Sequence, residues 1–188
     1  MRCWYGRVGL LVSLILVMAA PSYGAAKKKS GAARDDSSST APQRLGSADA
    51  WTAYSYKEKS ARVCYLVGEP QKTDPPGAKR KPPTAMVTHR PDEKIANVVS
   101  IVEGYPLKEG SDAALEVGGA KFDLFTKGDS AWARTAELDK AIVEAMTKAK
   151  QAVVKGIPQK GQPTTDTYSL SGFPQTLALI DKACSVKR

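Results

Sequence analysis

AALEVGGAKFDLFTKGDSAW, residues 113–132, is the stretch that decides the fold. Ala113–Val117 and Lys121–Thr126 are short strand-like runs with Gly118-Gly119 between them. Paired glycines are a hairpin signal, because the turn that matches strand twist needs positive φ at both central positions. Gly128-Asp129 repeats the signal between Phe125 and Trp132. Short strands joined by tight turns predict an antiparallel sheet.

The same pattern extends toward the N-terminus. Trp51, Ala53 and Ser55 alternate with Thr52, Tyr54 and Tyr56. In Arg62–Val67, Val63, Tyr65 and Val67 share one face and Cys64 and Leu66 the other, which suits a strand covered on both sides with Cys64 facing in. Thr84–His89 and Asn97–Glu103 are further strand candidates. Glu69–Pro83 reads as a Pro/Gly/Lys loop, since Pro82 and Pro83 forbid a central strand there. Strands of this length and spacing point to an antiparallel sandwich or barrel.

Two helices interrupt the pattern. Thr135 is a natural N-cap for Ala136–Lys148, with Leu138, Ile142, Ala145 and Ala149 on one face. A strand through Val153 and Val154 ends at Gly156, a second loop covers Ile157–Pro163, and Thr165–Leu170 is the last strand. Pro174 stands where a closing helix begins, with Leu177, Ile180 and Cys184 on its apolar face.

The N-terminal part has another character. Arg2 and Arg7 precede a 13-residue apolar run, Val8–Ala20, then Pro21 and the small residues Ser22, Gly24, Ala25 and Ala26. That order predicts a cleavable signal peptide over residues 1–26, too short for a comfortable membrane span. Residues 27–47 carry almost no large apolar side chain and are expected to be a disordered spacer, leaving residues 48–188 as one folded domain. Signal cleavage removes Cys3 and leaves Cys64 and Cys184 in a disulfide-permissive compartment. An even count in an exported chain favours a bridge, with two free thiols as the alternative.

The formal charge of +9 excludes little. Lys27, Lys28 and Lys29 sit in the spacer beside Asp35 and Asp36, the remaining basic residues are scattered apart from Lys79-Arg80-Lys81, and no aromatic side chains interleave them, so nucleic acid is not expected as a partner. Unspecific peripheral contact with an anionic membrane surface or polysaccharide is the most the charge suggests. The single histidine, His89, has no activated serine signature beside it and reads as a strand-end residue, hydrogen-bonded or solvated. There is no His pair, Cys-x-x-Cys or phosphate loop, and Asp123, Asp129 and Asp166 lie in separate elements. Lys127-Gly128-Asp129 resembles an adhesive tripeptide, although Gly-Asp is also ordinary turn chemistry. No catalytic residue, cofactor or metal ligand is assigned.

Several motifs in fixed order carry a family resemblance. They are Trp51, Cys64-Tyr65, Val87-Thr88-His89-Arg90-Pro91, Asn97–Ile101, Gly104-Tyr105-Pro106, Phe122–Ala133, Asp166–Phe173 and Cys184. The chain resembles the invasion-associated locus B family of exported alphaproteobacterial proteins. Only Gly156–Gly161 departs from the Ser- and Arg-containing form of that family. The resemblance implies an immunoglobulin-like antiparallel β-sandwich with one internal and one C-terminal helix, in the periplasm or cell envelope or secreted. It implies no enzymatic activity or cofactor, and it matches both cysteines, so it implies a Cys64–Cys184 bridge. Founding members are linked to entry into host red cells. The expected function is therefore non-catalytic binding of a protein or cell-surface component. The alternative is a periplasmic chaperone or inhibitor whose open sheet edge captures client strands.

Overall fold

The computed structural model describes residues 41–188, which all fall within Asp36–Arg188, the second of two units into which contacts divide the chain. The expected signal peptide and the spacer up to residue 40 lie outside the described residues. The elements run β1 (Gln43–Ala48), β2 (Trp51–Glu58), β3 (Ala61–Gly68), β4 (Lys72–Asp74), β5 (Thr84–Arg90), β6 (Ile95–Val102), β7 (Asp112–Val117), β8 (Ala120–Lys127), β9 (Ser130–Trp132), α1 (Ala136–Lys148), β10 (Gln151–Gly156), β11 (Thr164–Ser169) and α2 (Phe173–Ala183). A short 3-10 turn, Pro91–Glu93, joins β5 to β6.

The two turns of the opening stretch form as their residues dictate. Gly118 and Gly119 both hold positive φ, 58° and 89°, and set Val117 opposite Ala120. The second turn pairs Lys127 with Ser130. All strand pairs are antiparallel and make one ladder in the order β1-β2-β3-β5-β6-β9-β8-β7-β10-β11-β4. The architecture is mainly antiparallel β with one internal and one C-terminal helix, and its layers come from a single hydrogen-bonded ladder.

That ladder curls. β2 and β11 stand eight places apart in it, yet the Trp51 indole N–H donates to the Ser169 carbonyl at 2.8 Å. Trp51 is fully buried and meets the Phe173 ring edge-on, with centroids 5.0 Å apart. The concave side is filled by Leu66, Val87, Ile101, Leu115, Leu124 and Val154 with Ile142, Met146, Leu177 and Ile180 from the helices. Burying such side chains contributes about 1.5–3 kcal/mol each.

Helix α1 starts where expected, with Thr135 Oγ1 accepting the Leu138 N–H at 3.2 Å. Its buried face is Asp139, Ile142, Val143 and Met146, rotated from the predicted stripe, whose Leu138, Ala145 and Ala149 are only partly buried. Strand β9 is the reason. It has three residues and begins its pairing at Ser100, so before that point β6 is paired only with β5 and its β9-side edge has no partner strand. Asp139 turns inward to accept the Val99 N–H at 2.7 Å.

Two strands lie where the sequence reading placed none. Residues 43–47, assigned above to the spacer, form with Ala48 the edge strand β1 on β2, and Leu45 packs on the core. Lys72–Asp74, inside the expected loop, forms edge strand β4 on β11. Both are too polar to carry an alternating signal, and their partners create them.

Candidate functional site

Cys64 and Cys184 are joined in a disulfide, with Cα atoms 6.1 Å apart. Cys64 lies on the inner side of β3, and Cys184 caps the C-terminus of α2, so the bridge ties the helix to the sheet. His89 lies beside it, opposite Cys64 in the β3–β5 register. Its side chain is fully buried rather than solvated.

The hydrogen bonds of His89 fix its chemistry. Nδ1 accepts the Asn97 backbone N–H at 3.0 Å, and Nε2 lies 2.9 Å from Asp181 Oδ1. A nitrogen that accepts an amide proton carries none itself, so in the neutral ring the proton sits on Nε2 and points to Asp181. Neither nitrogen is left to activate a nucleophile. Burial would raise the Asp181 carboxyl, but hydrogen bonds from His89 and Arg188 outweigh it and hold it below its ordinary range. This dyad mends the irregular β5–β6 register and docks α2.

Lys79-Arg80-Lys81 is not a solvated basic cluster. The Arg80 side chain is 3% exposed and reaches inward to two fully buried carboxylates, Glu103 and Asp166. It donates to Glu103 Oε2 at 3.0 Å, to the Glu103 carbonyl at 2.9 Å and to Asp166 Oδ1 at 2.5 Å. Thr73 of β4 donates to the same Asp166 oxygen, and Tyr105 donates to Glu103 Oε2 and shares a hydrogen bond with Thr164. Burial, then the charge on Asp166, push the Glu103 carboxyl up to about 7 against the pull of Tyr105 and Arg80. Sequence separation hides this group entirely. Residues 80, 103 and 166 share no local pattern.

The Lys127-Gly128-Asp129 turn is docked rather than presented. The Gly128 carbonyl accepts the Leu107 N–H and the Asp129 carbonyl accepts the Glu103 N–H, both at 2.8 Å. Gly128 supplies the positive φ of 64° that the turn requires.

The convex side of the ladder presents the surface with most recognition chemistry. Cross-strand register aligns Tyr54, Tyr65, Thr88 and Val98 in one row. A second row runs Val67, Met86, Ser100, Trp132 and Phe125. All nine are half-buried. Tyr54 stacks on Tyr65 at 5.3 Å, Tyr56 meets Tyr65 edge-on at 6.0 Å, and Phe125 lies 5.6 Å from Trp132. A shallow hollow between Tyr56, Tyr65, Met86 and Arg90 is floored by Val63, which is 1% exposed. Further along the ladder, the outward positions are Glu116, Val153, Lys155, Thr165 and Thr167. One half of the convex side is aromatic and the other polar. Among the described residues, no helix is long and apolar enough to cross a membrane.

Residues 51–181 match the family model described as Invasion associated locus B (IalB) protein. The chain belongs to the invasion associated locus B family. The crystal structure of invasion associated protein b from Bartonella henselae is similar at TM-score 0.57 and 15% identity, covering 76% of this chain and 97% of that one. At that identity the likeness shows the fold alone. No curated protein matches. The family match begins at Trp51, the first residue of β2, and ends at Asp181, the His89 partner. It spans both rows of the convex face.

Proposed function

We propose that the chain is a non-catalytic, exported envelope protein that binds another protein through its aromatic convex face. The observation that supports this most is the pair of rows carrying Tyr54, Tyr65, Met86, Trp132 and Phe125, with Arg90 and Arg134 at their margins. Tyr, Trp, Phe, Met and Arg are the side chains enriched at protein interfaces, and as cross-strand pairs on an outer face they stabilise the sheet by only about 1 kcal/mol or less each. Placement in the periplasm or envelope is supported by the signal-like N-terminus and by a disulfide between the only two cysteines that remain after it. The family and its Bartonella henselae neighbour are both named for an association with invasion. In this chain the same face would meet an envelope protein or one on a contacted cell.

The strand-capture alternative meets resistance at both sheet edges. β4 has three residues and runs into Pro75-Pro76, and β1 is interrupted by a register shift between Arg44 and Gly46. Short, bulged and proline-flanked edges are the devices that discourage strand addition.

Photo-crosslinking in the native cell tests the binding reading. A crosslinker at Tyr65 or Trp132 should give one discrete adduct that Met86→Glu abolishes, while one at Thr167 gives none. Adducts only from Thr167, or none from the aromatic face, would overturn it. Fractionation tests the placement, and recovery in the cytoplasm with residues 1–26 intact would sink it.

A further inference from the structure

We infer that the Arg80–Glu103–Asp166 cluster is a proton-operated latch holding β4 and the following loop, Pro75–Pro83, against the body of the sheet. The argument begins with a charge count. One guanidinium faces two carboxylates whose side chains are shielded from bulk solvent, leaving one negative charge in excess unless a proton is bound. Glu103 Oε1 and Asp166 Oδ2 are both buried and find no hydrogen-bond partner among the described residues. Two carboxylates around one cation keep a proton more readily than isolated acids do.

Every group facing Glu103 belongs to this balance. Arg80 comes from the loop, Asp166 and Tyr168 from β11, and Tyr105 from the segment after β6. Glu69, before β4, acts on Tyr168 with the same sign as Glu103 and Asp166. Arg80 is the only cation in the set. Among the described residues, no three His, Cys, Asp or Glu side chains converge as metal ligands. A proton on Glu103, whose carboxyl burial pushes up to about 7, would supply the missing charge.

The loop depends on this cluster for its position. The Lys81 N–H donates to the Gly104 carbonyl at 3.1 Å, and a side chain at Gly104 would collide with the Lys81 carbonyl. Arg80 Nη2 also lies 3.4 Å from Thr73 Oγ1, and the Gln71 N–H donates to the Thr167 carbonyl at 2.9 Å. The Pro75, Pro76, Gly77, Lys79 and Lys81 side of the loop is exposed, so little apolar burial holds it. When Glu103 loses its proton, the excess charge is relieved only by admitting water, which means lifting the loop. Opening frees Arg80 beside the already exposed Lys79 and Lys81 and uncovers the β11 edge beneath β4.

Amide hydrogen exchange on the full chain, corrected for intrinsic rates, reads the latch directly. Protection at Gln71 and Lys81 should fall as pH rises from 6 to 9, by no more than about tenfold per unit because one proton is linked. Amides of β3 should not change. Glu103→Gln, which keeps the shape without the charge, should leave both amides protected at every pH. Protection independent of pH in the unmodified protein, or an unchanged pH response in E103Q, would overturn the latch. Should E103Q not fold, a carbon-13 titration of the Glu103 carboxyl in the unmodified protein decides. A midpoint coincident with the loss of protection supports the latch, and an ordinary carboxylate midpoint overturns it.

Discussion

Nε2 of His89 lies 2.9 Å from Asp181 Oδ1, one helical turn before Cys184 on the same helix. A hydrogen bond and a covalent bond thus fasten α2 to adjacent strands, β5 and β3, within one turn. His89→Ala should cost roughly 2–4 kcal/mol, because it opens a cavity and leaves the Asn97 N–H unpaired in the interior. Urea unfolding checks this, and a loss under about 1 kcal/mol would remove His89 from the docking role.

The disulfide closes a separation of 120 residues. On the chain-entropy model a loop of that length is worth about 5 kcal/mol. Replacing both Cys64 and Cys184 by Ser should lower the urea midpoint accordingly. Non-reducing peptide mapping of the purified protein should show Cys64 linked to Cys184, and two alkylatable thiols would disprove the bridge.

Stability should fall as pH rises through neutrality. Burial raises Glu103 from its ordinary 4.5 to about 7 and Asp139 from 3.8 to about 6, the latter opposed by the Val99 N–H. Both acids bind their proton more tightly folded than unfolded, so each stabilises fully below its unfolded value and loses that contribution as pH climbs through its folded one. For Glu103 alone the loss is on the order of 3 kcal/mol. Asp181 acts in the opposite sense, since its lowered value favours folding until the pH falls through it. Thermal melts should therefore peak in mildly acid solution, and Asp139→Asn should flatten the slope near pH 6.

The two faces of the sheet should respond differently to truncation. Trp51→Ala removes a fully buried ring and its bond to Ser169, for a loss of about 3–5 kcal/mol. Tyr65→Thr gives up a half-exposed cross-strand contact worth about 1 kcal/mol or less. Equal losses would mean that the convex rows serve the fold rather than a partner.

Much of this architecture was legible because it is written locally. Gly118-Gly119, the alternation in Arg62–Val67, the Thr135 cap and the Pro174 start each act over a few residues, and each element forms where they place it. β1 and β4 were not legible, because Arg44, Gly46, Lys72 and Asp74 have no strand preference until β2 and β11 offer hydrogen bonds. The buried cluster escaped for a related reason. Arg80 sits among prolines and lysines that read as a solvated loop, and only the closed sheet brings Glu103 and Asp166 to it. The aromatic rows fall between these cases. Tyr54, Tyr56 and Tyr65 were visible in alternation, but an isolated strand does not show that its second face stays open.

The cross-link between β3 and the end of α2 also constrains the order of events during biogenesis. On the proposed export route, a chain threaded through a membrane from its N-terminus would deliver Cys64 before Cys184, with eight of the eleven described strands between them. For that interval Cys64 would lack its partner and be open to mispairing. Any pairing of the sheet in that interval forms without the covalent tie, which the arrival of Cys184 makes possible.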